Sequence, residues 1–211
     1  MSRPVIKICG MRDPVNIAAV GACRPDYMGF IFVPASPRFC GDSLSPRVVE
    51  ELPYSVKAIG VFRNEDLRSV VDTVTEFGLD GVQLHGEEDR HYIAALRREL
   101  PNASICKAIP IRDLGDIEGL EKKECPVDRY IFDGLVPGSG QRIEWGVLAH
   151  YRGIIPFLLA GGIGLDNLES AKELRQWCPL LEGFDLNSKC EDAPGVKNVA
   201  LVQKAIDMVS L

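Results

Sequence analysis

No stretch of this 211-residue chain contains the ~20 consecutive apolar residues that a membrane-spanning helix requires. Its first residues, Met1-Ser2-Arg3-Pro4, run into a strand-like segment without the apolar core of a secretory signal. The expectation is a protein that neither enters nor crosses a membrane. Runs of Lys or Arg are also missing, and 30 acids against 24 bases leave a net charge of -6, which disfavours tracking a nucleic-acid backbone. A small anionic ligand stays open, because backbone amides and one or two cations can hold a phosphate on an acidic protein. The seven cysteines (Cys9, Cys23, Cys40, Cys106, Cys125, Cys178 and Cys190) are odd in number and never spaced C-x-x-C. That pattern argues against both a disulfide framework and a zinc site, and suits reduced thiols in the cytoplasm.

Also absent are a Pro-, Gly- or Ser-rich interdomain linker and the Gly-x-Gly-x-x-Gly turn of a dinucleotide-binding sheet. What is present is 46% hydrophobic residues with near-zero mean hydropathy, enough to fill a globular core. Short β-branched or aliphatic runs recur at Val5 to Cys9, Tyr27 to Phe32, Val56 to Phe62, Gly81 to Leu84, Ile105 to Ala108, Arg129 to Asp133, Phe157 to Ala160 and Gly183 to Leu186. Segments of helical spacing lie between and after them: Asp13 to Ala22, Pro46 to Leu52, Glu65 to Phe77, Glu88 to Leu100, Asp113 to Glu121, Trp145 to Tyr151, Asp166 to Arg175 and Val196 to Val209. Asp13 and Ser45 precede prolines as capping residues, and Asn64 and Asp166 are expected to cap likewise. This alternation predicts one (β/α)8 TIM barrel over residues 1–211, whose chemistry belongs on the loops that follow its strands. The longest such loop runs from Pro34 to Ser45.

Strand alternation sorts the polar residues. In the first strand Ile6 and Ile8 share a face opposite Lys7 and Cys9, and in the fourth Val82 and Leu84 oppose Gln83 and His85. Tyr130 and Phe132 oppose Asp133, and Phe184 and Leu186 oppose Asp185. With the apolar faces against the helices, Lys7, Cys9, Gln83, His85, Asp133 and Asp185, joined by Lys107, are expected to converge inside the barrel. So many polar groups are costly to bury without a ligand.

The motifs Lys7-Ile8-Cys9-Gly10-Met11, Phe32-Val33-Pro34-Ala35-Ser36-Pro37-Arg38, Val61-Phe62, Val82-Gln83-Leu84-His85-Gly86-Glu87, Lys107-Ala108, Leu159-Ala160-Gly161-Gly162-Ile163 and Asp185-Leu186-Asn187-Ser188 occur in one order along the chain. Asp133 at a strand end, Gly138-Ser139-Gly140 with Trp145, and Pro194-Gly195-Val196-Lys197 fall between and after them. In that order, over nearly the whole chain, they resemble the phosphoribosylanthranilate isomerases of tryptophan biosynthesis. Pro137, Ile143 and Asn187-Ser188-Lys189 depart from the family's usual Gly, Phe and Ser-Ser-Gly.

The resemblance implies an Amadori aldose-to-ketose rearrangement with Asp133 as general acid and Cys9 as general base. It implies Arg38 on the anthranilate carboxylate, and Lys7, Gln83, His85 and Asp185 around the substrate. The phosphate is expected between Gly161-Gly162 and the loop Asn187-Ser188-Lys189. No metal or organic cofactor is implied, because the substrate's own nitrogen supplies the Schiff base. The expected partner is a small phosphosugar, with the chain a monomer or homodimer. Each residue also has a plainer reading: Cys9 as a small buried hydrophobe, Asp133 as a cap, Arg38 as a surface residue, His85 as a hydrogen-bonded core histidine, and Lys107 with Asp185 as a structural ion pair. Three other functions compete. The histidine-pathway sugar isomerase usually has an aspartate at the position of Cys9, indole-glycerol-phosphate synthase needs an N-terminal extension, and a non-catalytic phosphosugar-binding barrel would not need Cys9 and Asp133.

Overall fold

In a computed structural model, which describes residues 3–121, 125–134 and 145–210, eight parallel strands close on themselves. They are β1 (Val5–Met11), β2 (Tyr27–Ile31), β3 (Lys57–Phe62), β4 (Gly81–Leu84), β5 (Ser104–Pro110), β6 (Arg129–Asp133), β7 (Phe157–Ala160) and β8 (Leu181–Leu186). Each pairs with the next, and β8 returns to β1 in the register Val5↔Gly183 and Lys7↔Asp185. This is the (β/α)8 barrel expected from the alternation of runs.

Side-chain parity divides the core in two. Ile6, Ile8, Met28, Phe30, Val82, Leu84, Phe132 and Phe184 point outward and pack beneath the helices, all fully buried. Each such side chain contributes about 1.5–3 kcal/mol on leaving water. Phe132 stacks on Phe157 at 4.4 Å and meets the edge of Tyr151 at 5.3 Å. Cys106, Ala108, Ile131, Leu158 and Ala160 form a separate small cluster inside the barrel.

The N-terminal end of the barrel is stitched by aspartates placed one residue before alternate strands. Asp26 accepts from Ile6 N, Asp80 from Ala58 N and Asp128 from Ile105 N, at 2.7–2.8 Å. Arg3, Lys57 and Arg97 balance their charges. These bonds satisfy amides at the barrel's base that would otherwise lack partners, so that end is built for stability and the opposite end is left for chemistry.

The helices are α1 (Pro14–Ala22), α2 (Pro46–Glu50), α3 (Leu67–Phe77), α4 (Arg90–Glu99), α5 (Leu114–Glu121), α6 (Leu168–Glu173) and α7 (Val199–Ser210), with a 3-10 segment at Trp145–His150 in the sixth position. Asp13 caps α1 by accepting from Asn16 N, as its place before Pro14 predicts. Ser45 holds the capping position of α2 without a side-chain bond. Asn64 does not cap: it sits at φ 51°, its side chain accepts from Glu87 N, and Asp66 caps α3 two residues later. Asp166 is likewise drawn off, to Lys189, and α6 starts after Asn167. The last expected helix begins too early, because Gly195 at φ 82° turns Glu191–Ala193 (β9) back on Val196–Lys197 (β10) before α7 starts. Pro137, Gly138, Ser139, Gly140 and Ile143 lie outside the described residues.

Candidate active site

Strand β1 ends in a bulge: its register against β2 slips between Cys9 and Met11, and Gly10 between them has φ +78°. A side chain on Gly10 would come within 2.7 Å of Arg38 and 2.8 Å of Asn187, so the glycine allows three loops to meet at this strand end. Opposite Cys9 on β2 is Gly29, where a Cβ would fall 2.8 Å from the Cys9 sulfur. Cys9 fills the space that Gly29 leaves.

Cys9 faces a cavity of about 230 Å³ at the C-terminal mouth. Asp133, at the end of β6 and partly exposed, lines the same cavity. So do Arg38, Gln83, His85, Gly161, Gly162, Asp185, Asn187 and Ser188. A second compartment of about 510 Å³ opens from it, sharing Ile31, Val61, His85 and Asp133 and continuing past Val33, Ser36 and Pro110. The side chains that alternation assigned to the interior thus surround one space, with two corrections, Lys7 and Lys107, and a third falls on Lys189, expected at the phosphate.

Lys7 lies below the cavity, 2% exposed, its ammonium bonded to Asp185 Oδ2 at 2.7 Å. It acts on the site through Cys9 and Asp185 without lining it. Lys107 does not point inward, since its neighbours Cys106 and Ala108 take the interior positions of β5. Its ammonium reaches Glu88 at 2.9 Å and the Gly86 carbonyl on the helix side of the sheet, so Lys7 is the partner of Asp185. Lys189 also stays out of the cavity, bonded to Asp166 at 3.1 Å with both side chains about half exposed.

The electrostatics follow from this burial. Burial pushes the Cys9 thiol above its ordinary pKa, against the pull of Lys7. Lys7 itself would be lowered by burial, but Asp185 and Cys9 raise it, so it remains a cation beneath the thiol. His85 stands open to solvent at the mouth yet is crowded by protein, and that desolvation lowers its pKa in spite of Asp133. Its Nδ1 lies 3.5 Å from the Gln83 amide nitrogen.

Two buried oxygens on the wall have no partner among the described residues: Gln83 Oε1 and Asp185 Oδ1. Buried acceptors left empty are costly, and both belong to residues that line the cavity. Gly161 and Gly162 both take left-handed backbone, at φ 89° and 70°, and Asn167 ties the following turn by bonds to Gly162 O and Gly164 N. The Asn187-Ser188 segment opposite forms a single 3-10 turn, Ser188–Cys190, not the start of a long helix. Among the described residues, no group of three or more His, Cys, Asp or Glu is arranged to hold a metal, and no helix is long and apolar enough to cross a membrane.

Two residues to which the sequence reading gave no role stand behind the wall. Glu191 binds Arg38 through both carboxylate oxygens, and Lys197, 1% exposed, binds Glu191 and Asn187. The Pro194-Gly195 turn signal was the available clue that Lys197 folds back toward Glu191.

The chain matches the family model described as N-(5'phosphoribosyl)anthranilate (PRA) isomerase over residues 6–208. It is 36% identical to the N-(5'-phosphoribosyl)anthranilate isomerase of Parabacteroides distasonis, covering 97% of this chain and 93% of the relative. Identity to the Nostoc punctiforme enzyme of that name is also 36%, with 96% of each covered. The crystal structure of phosphoribosyl anthranilate isomerase from Thermotoga maritima superposes with a TM-score of 0.84 at 27% identity, covering 98% of both chains. The Thermus thermophilus enzyme gives 0.82 at 28%, again over 98% of both. Sequence, barrel and full-length coverage agree that this chain belongs to the N-(5'-phosphoribosyl)anthranilate isomerase family.

Proposed function

We propose that this protein isomerises N-(5'-phosphoribosyl)anthranilate to 1-(2-carboxyphenylamino)-1-deoxyribulose 5-phosphate, the Amadori step of tryptophan biosynthesis, with Asp133 as acid and Cys9 as base. The observation that carries this reading is that a thiol and a carboxyl from separate strands face one cavity, which a left-handed Gly-Gly turn also lines. A related structure, named as phosphoribosyl anthranilate isomerase in complex with reduced 1-(o-carboxyphenylamino)-1-deoxyribulose 5-phosphate, has a TM-score of 0.80 at 26% identity.

In the first step the Asp133 carboxylic acid protonates the furanose oxygen as the C1'–O bond breaks, and the anilino nitrogen becomes the Schiff base. In the second the Cys9 thiolate removes the C2' proton, and the electron pair moves toward the cationic nitrogen to give an enolamine. Tautomerisation of the enolamine places the carbonyl on C2' and a proton on C1', so the sum is an isomerisation with no external oxidant. Lys7 favours the thiolate, and so does the iminium charge that develops beside it.

The phosphate is assigned to the Gly161-Gly162 turn and to Asn187-Ser188. Asp166 already engages Lys189, so backbone amides supply most of the contacts to that anion. The ribose lies along Gln83 and Asp185. The aryl ring lies toward Ile31 and Val61, its carboxylate on Arg38. Every one of these side chains belongs to a single barrel, so none of them has to come from a second copy of the chain in a homodimer.

The test is loss of anthranilate-type fluorescence when the purified protein meets its substrate. Cys9→Ala and Asp133→Asn should each lower kcat by ~10²–10⁴-fold, the scale of a lost acid or base, while the folded far-UV spectrum persists. Near-normal turnover in either variant would reject its assignment.

A further inference from the structure

We propose that Glu191 is a positioning residue that grips one edge of the Arg38 guanidinium so that the opposite edge meets the substrate carboxylate, with buried Lys197 keeping that wall cationic. The inference rests on the isomerase reading above and concerns side chains that reading leaves without a role.

A guanidinium is flat and offers two paired-donor edges, Nε with Nη2 and Nη1 with Nη2. Glu191 takes the first, accepting from Nε at 2.8 and 3.0 Å and from Nη2 at 2.6 Å. Arg38 Nη1 makes no hydrogen bond to any described residue. Arg38 lines the cavity and Glu191 does not, so the carboxylate holds the arginine from behind. Planar donors held in advance bind a carboxylate without first losing side-chain freedom.

An Arg38–Glu191 pair alone would be neutral and a poor host for an anion. Lys197 changes the count. Its ammonium is fully buried and donates to Glu191 Oε1 and to Asn187 Oδ1 at 2.7 Å, so two cations share one anion and the cluster is left with one positive charge. Burying an ammonium is costly, and a merely structural Arg–Glu pair has no use for a second one. The Lys197 backbone is itself fixed, since its N–H donates to Asn16 Oδ1 and its carbonyl accepts from Asn16 Nδ2, clasping the β9–β10 hairpin to α1. Gly195 N also donates to Glu191, so the carboxylate is immobilised from several sides before any ligand arrives. Because Lys197 also grips Asn187 on the phosphate loop, one buried ammonium sets the spacing between the groups meant for the two anionic ends of the substrate.

The test compares two inert product analogues by calorimetry: reduced 1-(2-carboxyphenylamino)-1-deoxyribulose 5-phosphate and its phenylamino counterpart without the carboxyl. Glu191→Gln and Glu191→Asp should weaken the carboxylated analogue ~10-fold or more, the scale of a lost charge-assisted pair, and change the other by less than ~2-fold. Glu191→Asp keeps the charge and retracts it by one methylene, so it isolates position from charge. For the substrate itself KM should rise while kcat stays within ~3-fold of the wild type. Equal weakening of both analogues would mean a structural role only, and unchanged or tighter binding of the carboxylated one would mean that Glu191 competes with the ligand. Either result overturns the proposal. Failure of the wild type to turn over phosphoribosylanthranilate would instead overturn the isomerase reading itself.

Discussion

Replacing Gly29 with alanine should cripple the reaction while leaving a folded barrel. Gly29 has no left-handed backbone to protect, and its place in β2 is set by the space that the Cys9 side chain occupies. The added methyl would stand 2.8 Å from the Cys9 sulfur and 3.2 Å from its Cα. Ordinary carbon contacts lie at about 3.5–4.0 Å, so the sulfur must retreat by roughly 1 Å or the two strands must part. The Cys9 Cα belongs to a strand paired on both sides, so most of the adjustment falls on the thiol. A misplacement of roughly 1 Å costs ~10²-fold in rate, and that is the expected loss of kcat in the fluorescence assay, with KM little changed. Overpacking of this kind costs about 1–3 kcal/mol of stability, a drop in Tm of about 2–4 °C per kcal/mol for a chain of this length. Gly119 serves as the control, since a Cβ there meets nothing within 4 Å. Gly119→Ala in α5 should gain about 0.4–1 kcal/mol with unchanged kcat. A Gly29→Ala enzyme within ~2-fold of wild-type kcat would refute the placement of Cys9 as the reacting group.

Because burial holds the Cys9 thiol above its ordinary value, the thiolate fraction and hence kcat/KM should climb as pH rises through neutrality. Lys7→Met removes the cation opposing that burial, so the rising limb should move to higher pH; a limb that stays in place would show that Lys7 does not act on the thiolate. Burial would raise Glu191, but Arg38 and Lys197 bring it down from 4.5 to about 2. A carboxylate lowered in the folded state contributes stability above its unfolded pKa and loses it as pH falls through the folded one. Urea midpoints of the wild type should therefore fall between pH 4.5 and about 2, and those of Glu191→Gln should fall less across the same window; equal slopes would contradict the linkage. Lys107→Met leaves the Glu88 carboxylate, 2% exposed, with only the Asn64 and Gly86 amides as donors, and should cost about 1–3 kcal/mol in thermal or urea unfolding. Its kcat should hold near the wild-type value because Lys107 lies on the helix side of the sheet, and a selective loss of activity without destabilisation would place it in the site after all.

Period and punctuation fixed much of this protein in advance. Eight apolar runs separated by helical spacing set the barrel, because a parallel strand buried on both faces and an amphipathic helix each leave their mark on local sequence. Alternation within β1, β4, β6 and β8 was enough to bring Cys9, Gln83, His85, Asp133 and Asp185 to one cavity, since a strand's two faces are a property of the backbone. The same rule puts Lys107 on the other face, because Cys106 and Ala108 on either side of it take the interior positions.

Tertiary structure alone decided which charges meet. Asp185 took Lys7 and not Lys107, Asp166 was claimed by Lys189 instead of a helix, and Arg38 found Glu191 across 153 residues of chain. No local pattern encodes such choices, because a long charged side chain reaches whatever the folded loops bring within a few ångströms, and burial then sets the strength of the contact. The balance at Cys9 is of the same kind: sequence placed a lysine two residues away, but only the closed barrel determined that desolvation outweighs it.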